Sequence, residues 1–304
     1  MKNGDYIATG RTSGMDLIST FNLTSISDVR AALNLLDLKP SKALGQNFLI
    51  DANILGIILN LADLNSADQV LEIGTGLGVL AEAMAKKVRR LITIEKDSRL
   101  TDFLKVRLKI HPNVEFVFED ALKLDLQKFW QSGINKMVAN LPYSVGSAIL
   151  ADIFKSKEQP DGIVVTLQTE VARRLVAKPN TSDYSLLSIW CQLSYEGKIE
   201  KKISESCFYP NPDVQSAVVR LARRREKAAP IDPNNFFNLT KYAFGQRRKQ
   251  LQKIISHAPP PLYFPSTELQ GLLREMQIDP CARPEELAVE QWVELSDRIK
   301  RKQS

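Results

Sequence analysis

The sequence predicts an α/β fold: a mostly parallel sheet with helices on both faces and an antiparallel pair at its edge, followed by a small all-helical domain. Between residues 69 and 167, short apolar runs alternate with segments of helical periodicity, which is typical of a parallel sheet whose crossovers are helices. Residues 199–203 and 216–221 are two further strand-like runs. Beyond residue 225, every periodic segment has the spacing of a helix.

The individual elements can be assigned in order along the chain. Strands are predicted at residues 70–73, 91–94, 114–118, 137–139 and 163–167, with helices at 79–87, 100–110 and 149–154. Residues 199–203 and 216–221 are expected to pair as an antiparallel edge, joined through residues 208–212. The second domain is predicted to contain helices at 236–244, 251–255, 267–276 and 284–300, with a break at the three prolines 259–261.

The N-terminal segment has no sustained hydrophobic period. Residues 1–27 are rich in Ser, Thr, Gly and Asn, and we expect them to form a flexible extension. Ser27 and Asp28 are the expected cap of a first helix, which runs to Leu38 because the residue before a proline is disfavoured in a helix. Another helix is predicted from Ile54 to Ala62.

The chain is predicted to divide into the extension (1–27), an α/β domain (28–225) and a helical domain (226–304). Apolar periodicity lapses around residues 223–230, where charge and proline take over. The net charge of the chain is +6, and nine Lys or Arg stand against two Asp or Glu between residues 223 and 253. This local excess suits a polyanionic partner, although a solvated linker and a basic helix face would produce the same count.

The composition narrows the class of protein. With 304 residues, of which 44% are hydrophobic and 25% charged, the chain has the composition of a soluble globular protein. Its three cysteines and two histidines lack the spacing of a zinc site or a disulfide framework. The sequence contains no bilayer-length apolar run and no evident signal peptide. We therefore expect a cytoplasmic monomer that uses no metal and no membrane.

Glycines and acids follow the first three predicted strands. Residues 72–78 (EIGTGLG) form a strand-to-helix junction, where glycine permits a tight turn and close approach of a ligand. The third glycine comes one residue too early for the pattern that binds a pyrophosphate. The spacing suits a nucleoside instead, with Glu95 accepting from ribose hydroxyls and Asp120 from an adenine amine. Single acids are often only solvated strand ends, but ligands of such sheets bind at this shared edge.

Asn140, Leu141, Pro142 and Tyr143 follow the fourth predicted strand. The Asn140 amide oxygen and the Leu141 carbonyl can each accept a hydrogen bond from an exocyclic amine. Pro142 fixes its own φ, and Tyr143 can stack on the ring that carries the amine. Taken alone, these residues fit an ordinary Asn-x-Pro turn better than a site. Together with the strand-end acids, they are candidates for holding a flat amine beside a nucleoside.

Residues 72–78, Glu95, Asp120 and 140–143 together resemble the class I S-adenosylmethionine-dependent methyltransferases, in particular those that modify adenine N6. Further motifs narrow the resemblance to the small-subunit ribosomal RNA adenine dimethyltransferases, and they are GQNFL at 45–49, LQTEVARRL at 167–175, FYPNPDVQSAV at 208–218 and FGQRRK at 244–249. The resemblance covers the chain from about residue 38 to 300. It implies a Rossmann-like sheet followed by a helical domain that binds RNA.

The resemblance also implies roles for individual residues. It implies that S-adenosylmethionine is bound by Asn47, Leu49, Gly74, Gly76, Glu95, Asp120 and Asn140. The implied catalytic residues are Asn140, Leu141, Pro142 and Tyr143. The implied RNA contacts are Arg223, Arg224, Arg247, Arg248 and Lys249. The expected substrate is a pair of adjacent adenosines in the 3′-terminal hairpin of small-subunit ribosomal RNA, within the precursor of the 30S particle.

The chain departs from the family pattern at Thr75, where proline is frequent, and we expect this to loosen the glycine loop. Two other functions remain open. The first is methylation of a different amine, such as a glutamine side chain or DNA adenine, by enzymes that usually carry a second proline at the position of Leu141. The second is a non-catalytic role in RNA binding, and the intact cofactor edge argues against this being the only role.

Overall fold

The computed structural model describes residues 17–225 and 229–303. The strands are β1 (Phe48–Leu49), β2 (Gln69–Ile73), β3 (Arg90–Glu95), β4 (Val114–Phe118), β5 (Lys136–Asn140), β6 (Gly162–Gln168), β7 (Tyr195–Ile203), β8 (Phe208–Tyr209) and β9 (Ser216–Arg223). The main sheet has the order β4-β3-β2-β5-β6-β9-β7. The five strands β2 to β6 are parallel to one another, whereas β9 is antiparallel to both β6 and β7. The predicted mostly parallel sheet with an antiparallel edge is therefore confirmed.

The helices lie on both faces of this sheet and continue into the C-terminal region. In the first part of the chain they are α1 (Ile26–Leu35), α2 (Ala52–Ala62), α3 (Val79–Ala85), α4 (Thr101–Arg107), α5 (Gln127–Gln131), α6 (Gly146–Lys155), α7 (Thr169–Val176) and α8 (Leu186–Gln192). The later ones are α9 (Pro233–Phe244), α10 (Leu251–Ile255), α11 (Ser266–Glu275) and α12 (Val289–Gln303). Sequence periodicity did not identify α5, α7 and α8.

The sheet separates two apolar clusters, because successive side chains of a strand point to opposite faces. One cluster contains Leu71, Met137, Val165 and Val219 and extends through Trp190 to Phe236 and Trp292 in the helical region. The other cluster contains Val70, Val138, Val164 and Val218. Since both faces are covered, the central strands appear in the sequence as continuous apolar runs.

The helical region shares its core with the sheet domain. Trp190 packs edge-on against Phe237, with 5.4 Å between ring centroids, and donates a hydrogen bond to Thr240 at 3.1 Å. The predicted helices are found, but the last begins at Val289, because Pro284–Glu286 form a separate 3-10 turn. The division at residue 226 stays a prediction, and residues 226–228 lie outside the described ranges.

The predicted N-terminal boundary is wrong for the part of the segment that the structure describes. Ile18 and Leu23 are buried, and α1 begins at Ile26 with Ser25 at its N-cap position. The expected cap residue Asp28 instead accepts a hydrogen bond from the Asn22 backbone N–H at 2.7 Å. Because these two apolar side chains are buried, the described part of the segment has a defined position, which its polar composition did not indicate. Residues 1–16 of the predicted extension lie outside the described ranges.

β7 and β9 pair antiparallel as expected, but the connection between them contains a further strand. Phe208–Tyr209 form a strand of their own, which pairs antiparallel with Phe48–Leu49 in a separate two-stranded sheet. The Phe208 side chain is fully buried. This small sheet fixes the segment before α2, and its strand β1 lines the cavity described next.

Candidate active site

The carboxyl ends of β2 to β5 border a cavity of about 210 Å³, at the edge where sheets of this type bind ligands. Its lining includes all the predicted cofactor residues, namely Asn47, Leu49, Gly74, Gly76, Glu95, Asp120 and Asn140. Leu141, Pro142 and Tyr143 line the same cavity. The fold therefore brings the predicted cofactor and catalytic residues together, whereas the predicted RNA-contact residues lie outside this lining.

The glycine loop after β2 lies directly against the Asn140 motif. Gly74 has a φ of +84°, which side chains other than glycine rarely adopt. A Cβ at this position would lie 3.1 Å from Pro142 Cδ and 3.4 Å from the Asn140 carbonyl oxygen. The Gly74 N–H donates to the Ile94 carbonyl at 2.8 Å. Glycine at position 74 thus permits the close approach of loop and motif that shapes this side of the cavity.

Glu95 ends β3 and is buried, with 8% of its surface exposed. One carboxylate oxygen accepts from the Gly76 N–H at 2.8 Å and the other from the Asp97 N–H at 2.8 Å. Burial raises the pKa of Glu95, while these backbone hydrogen bonds act in the opposite direction. The carboxylate is therefore held in one orientation at the cavity and links the glycine loop to the end of β3.

Asp120 follows β4 and is held by different partners. Its side chain forms an ion pair with Lys96 at 2.8 Å and accepts from the Leu122 N–H at 3.0 Å. The hydrogen bond from Lys96 and the bond from the Leu122 backbone lower the pKa of Asp120. Asp120 thus stays ionised at neutral pH and presents an acceptor to the cavity, next to the position of Glu95.

Thr75 does not loosen the glycine loop as expected, because its hydroxyl is buried and hydrogen-bonded. Thr75 Oγ1 bonds to Thr93 Oγ1, and the Thr93 hydroxyl donates to Glu72 Oε2 at 3.0 Å. All three side chains are buried. The chain of bonds connects the loop to two neighbouring strands, so it replaces the backbone restriction that a proline would provide. Burial raises the pKa of Glu72 well above its usual range.

Replacing Glu72 with Gln should therefore stabilise the protein relative to wild type, and the gain should grow as the pH rises. Because the folded pKa is raised, the stability that Glu72 contributes is present below its unfolded value of 4.5 and is lost as pH rises through the folded value. Between the unfolded and the folded pKa of Glu72, the free energy of unfolding falls by at most about 1.4 kcal/mol per pH unit. Glutamine keeps an acceptor for Thr93 without a charge. We expect the Glu72→Gln variant to gain more in Tm at pH 8 than at pH 5; an equal gain at both would contradict this.

Asn140 combines one satisfied and one free polar atom. Its amide Nδ2 donates to the Asn47 carbonyl at 3.0 Å, which sets the orientation of the amide. Within the described residues, the buried Oδ1 accepts no hydrogen bond, and the adjacent Leu141 carbonyl likewise accepts none. Buried polar atoms are normally paired. Two neighbouring acceptors without a donor are what a site for an amine with two N–H groups requires.

Tyr143 is fixed by the antiparallel edge of the sheet. Its hydroxyl is hydrogen-bonded to the Ser216 hydroxyl at the start of β9. Its ring meets the buried Phe208 ring edge-on, with 6.5 Å between centroids. Burial raises the pKa of Tyr143, so the phenol stays protonated. Ser216 and Phe208 therefore position Tyr143, a role that only the contacts between these distant segments reveal.

The N-terminal segment closes another side of the cavity, since Leu23 and Val29 are among its lining residues. Arg107 on α4 holds this segment: its guanidinium donates to the carbonyls of Ile18 and Phe21, both at 2.8 Å. The same guanidinium forms an ion pair with Glu82 at 2.7 Å. Arg107 is buried, so its charge is satisfied entirely by these partners. The sequence contains no local signal for the contact with the N-terminal segment, because Ile18 and Phe21 are 89 and 86 positions from Arg107.

Releasing this segment should weaken ligand binding in the cavity. We expect the double variant Arg107→Met/Glu82→Gln to raise the Kd for the predicted cofactor, S-adenosylmethionine, severalfold and to make residues 17–25 sensitive to protease. The second substitution avoids leaving a carboxylate without its partner. Lys109→Met, an exposed change just after α4, is the matched control. Calorimetry that finds the same Kd for the double variant and the control would show that the segment does not support the cavity.

The predicted RNA-contact residues fall into two groups. Arg223 lies over the Tyr195 ring at 5.4 Å, and Arg224 forms an ion pair with Glu290 at 3.1 Å. Arg224 thus links the sheet to the helical region, whereas Arg223 is engaged within the sheet region, and both contacts count against the availability of these arginines to RNA. The basic residues at 247–249 lie in the turn between α9 and α10, so the expected alternative of a helix face does not apply to them.

Within the basic turn the three side chains differ. Arg248 and Lys249 are exposed, whereas Arg247 lies 3.7 Å from Glu285 and donates to the Ser182 carbonyl at 3.4 Å. Over residues 17–225 and 229–303, no group of three or more His, Cys, Asp or Glu side chains is placed to hold a metal ion. The same ranges contain no helix with the length and apolar character needed to cross a membrane.

Comparison with known proteins identifies the family. Residues 38–301 match the family described as ribosomal RNA adenine dimethylase. The chain is 37% identical over 265 residues to ribosomal RNA small subunit methyltransferase A from Bacillus licheniformis, covering 85% of this chain and 91% of that protein. It is also 37% identical over 271 residues to the protein of the same name from Alkaliphilus oremlandii, covering 88% and 94%.

Two crystal structures share the fold. A dimethyladenosine transferase from Plasmodium falciparum is similar with a TM-score of 0.72 and 25% identity, covering 84% of this chain and 98% of that one. The 23S rRNA methyltransferase ErmE is similar with a TM-score of 0.61 and 25% identity, covering 84% and 100%. The expected class I methyltransferase fold is thus confirmed. On the extent of these matches and the residues gathered at the cavity, the chain belongs to the ribosomal RNA adenine dimethylase family of methyltransferase enzymes.

Proposed function

We propose that this enzyme transfers methyl groups from S-adenosylmethionine to N6 of two adjacent adenosines in the 3′-terminal hairpin of small-subunit ribosomal RNA, during assembly of the subunit in the cytoplasm. The observation that carries the proposal is the pair of acceptors at Asn140 Oδ1 and the Leu141 carbonyl, which accept no hydrogen bond from the described residues and lie at the edge of a cavity of about 210 Å³. The two relatives at 37% identity are both ribosomal RNA small subunit methyltransferase A, which supports the choice of small-subunit ribosomal RNA.

The residues of the cavity fit S-adenosylmethionine. Glu95 is an oriented carboxylate that can accept from two ribose hydroxyls, and Asp120 can accept from the adenine amine. Gly74 permits the close packing of the loop against Pro142 and the Asn140 carbonyl, which shapes one side of the cavity. Asn47 and Leu49 also line the cavity. The third glycine of the loop comes one residue too early for the pattern that binds a pyrophosphate, which agrees with a ligand that contains no phosphate.

When bound, S-adenosylmethionine supplies a methyl group on a sulfonium, which is already activated for transfer. The protein therefore has to orient the target amine for an in-line attack. Asn140 Oδ1 and the Leu141 carbonyl would accept its two N–H hydrogens, which favours a pyramidal nitrogen with an available lone pair. Tyr143, held by Ser216 and Phe208, would stack on the base once the base has left its helix.

Proton removal needs no strong base in this arrangement. The target nitrogen becomes acidic as it is alkylated, so its proton can pass to solvent. This is consistent with a motif that contains neither histidine nor carboxylate. After the first transfer one N–H remains, and one of the two acceptors, Asn140 Oδ1 or the Leu141 carbonyl, then faces a methyl group. Dimethylation therefore requires that the base shift slightly in the pocket between the two transfers.

The RNA backbone would be bound outside the cavity. Arg248 and Lys249 are exposed in the turn after α9, and cations of this kind contact phosphates without reading sequence. Arg247 shares its charge with Glu285, and Arg223 and Arg224 are engaged within the chain. We therefore propose Arg248 and Lys249 as the principal phosphate contacts among the five candidates.

The decisive experiment is to incubate the protein with methyl-labelled S-adenosylmethionine and small ribosomal subunits that lack these methyl groups, then to map the label. We expect two adjacent N6,N6-dimethyladenosines in the 3′-terminal hairpin. Large subunits, duplex DNA and total protein are tested as substrates in parallel. Large subunits are included because the chain is similar to the 23S rRNA methyltransferase ErmE. DNA and protein are included because methylation of DNA adenine or of a glutamine side chain is an open alternative. Label confined to any of these, or no transfer to the small subunit, would refute the proposal.

A further inference from the structure

Three cations meet on one face of the sheet at its β7 edge. Lys198 of β7 stands directly opposite Arg220 of β9, and Lys201 stands opposite Val218. Val218 and Arg220 are two apart, so they point to the same face. We call Lys198, Lys201 and Arg220 the β7 basic cluster. All three are exposed, and Lys198 forms an ion pair with Glu200 at 2.9 Å. In the described ranges, neither Lys201 nor Arg220 has an ion-pair partner.

A β-bulge creates this cluster. Residues three apart in a regular strand point to opposite faces, which would separate Lys198 from Lys201. The register shifts between Ile199 and Lys201, so that Glu200 is an extra residue and the two lysines share a face. Bulges commonly re-aim side chains next to functional sites. Like charges directly opposite in a sheet are destabilising, and such a local conflict is typical of a functional surface.

The cluster lies in register with the catalytic motif. Asn140 pairs with Thr166, Thr166 with Val218, and Val218 with Lys201. Three strand spacings therefore separate Lys201 from Asn140, which is about 14 Å. At that distance a cation cannot touch a base held at Asn140. It can reach the phosphates of nucleotides that flank the base on the same strand.

We propose that the β7 basic cluster binds phosphates of the RNA strand that carries the target adenosines. The inference rests on the proposed function, since it assigns the path of the same substrate. Phosphate contacts fix the orientation of a nucleic acid, so the cluster would align the strand whose base enters the cavity. Lysine on an edge strand also prevents pairing with other chains. A charge of either sign would serve that protective role. If it were the only role of the cluster, reversal of the charges would leave the RNA affinity normal.

The test compares two double charge reversals of equal size. Lys201→Glu/Arg220→Glu alters the cluster, and Lys87→Glu/Arg89→Glu alters two exposed residues before β3, at the opposite end of the sheet from the cavity. Affinity for deproteinised small-subunit ribosomal RNA is measured by filter binding at several salt concentrations. We expect the cluster variant to bind at least tenfold more weakly and the control variant within about twofold of wild type. The slope of log K against log salt should become shallower by about 1.4 in the cluster variant.

The outcomes separate the possible failures. The neutral variant Lys201→Gln/Arg220→Gln should also lose affinity, and unchanged Tm and cofactor affinity would establish that it is folded. Equal weakening in the cluster and control variants would overturn the inference, because total charge alone would then explain it. Loss of binding only to intact subunits would indicate a protein partner and overturn it as well. If the wild-type protein neither binds this RNA nor methylates small subunits, the proposed function itself fails.

Discussion

Substitution of Asn140 by Ala should reduce the rate of methyl transfer by about 100- to 1,000-fold, the range found when one oriented polar contact to a transition state is removed. The change deletes the free Oδ1 acceptor, so one N–H of the target amine loses its partner. The affinity for S-adenosylmethionine should change far less, because Glu95 and the Gly74 loop are untouched. Single-turnover rates and calorimetry on the same preparation measure the two quantities.

Two further variants sharpen this experiment. Asn140→Asp keeps an acceptor but removes the Nδ2 donor to the Asn47 carbonyl, so it tests whether that bond positions the acceptor. Asn60→Ala changes an exposed residue of α2 and should leave transfer unchanged. Wild-type turnover by Asn140→Ala would remove the basis of the proposed mechanism.

Substitution of Gly74 by Ala should impair cofactor binding and methyl transfer together. Alanine is strained at a φ of +84°, and its Cβ would stand 3.1 Å from Pro142 Cδ and 3.2 Å from Pro142 Cγ. The glycine loop and the Asn140 motif must then move apart, so both halves of the site change. We expect a Kd at least tenfold higher and a free energy of unfolding lower by about 1–3 kcal/mol.

The matched control for this change is Gly56→Ala. Gly56 lies within α2, and a Cβ there would have no heavy atom within 4 Å. Alanine is the better helix former by about 0.5–1 kcal/mol, so this variant should be slightly more stable and fully active. Normal cofactor affinity in Gly74→Ala, measured beside this control, would mean that the close packing of loop and motif is dispensable.

Much of the site could be predicted because a parallel sheet imposes a simple geometric rule. The carboxyl ends of parallel strands lie at one edge, so residues such as Glu95 and Asp120 become neighbours once their strands are recognised. The apolar runs that mark those strands are a property of the sequence alone. The same logic fails at the N-terminus, where Leu23 lines the cavity although the polar composition around it predicted a flexible extension.

The sequence by itself determined the fold class, the order of the strands along the chain and the acceptors grouped at the cavity, because each depends on short-range periodicity or on a motif. Tertiary structure alone decided how these groups are held. Thr75 is tied to Glu72 through Thr93, Tyr143 is fixed by Ser216, and the N-terminal segment is held by Arg107. Such contacts join positions far apart in the chain, and they depend on strand register and side-chain packing, which leave no repeating pattern in the sequence.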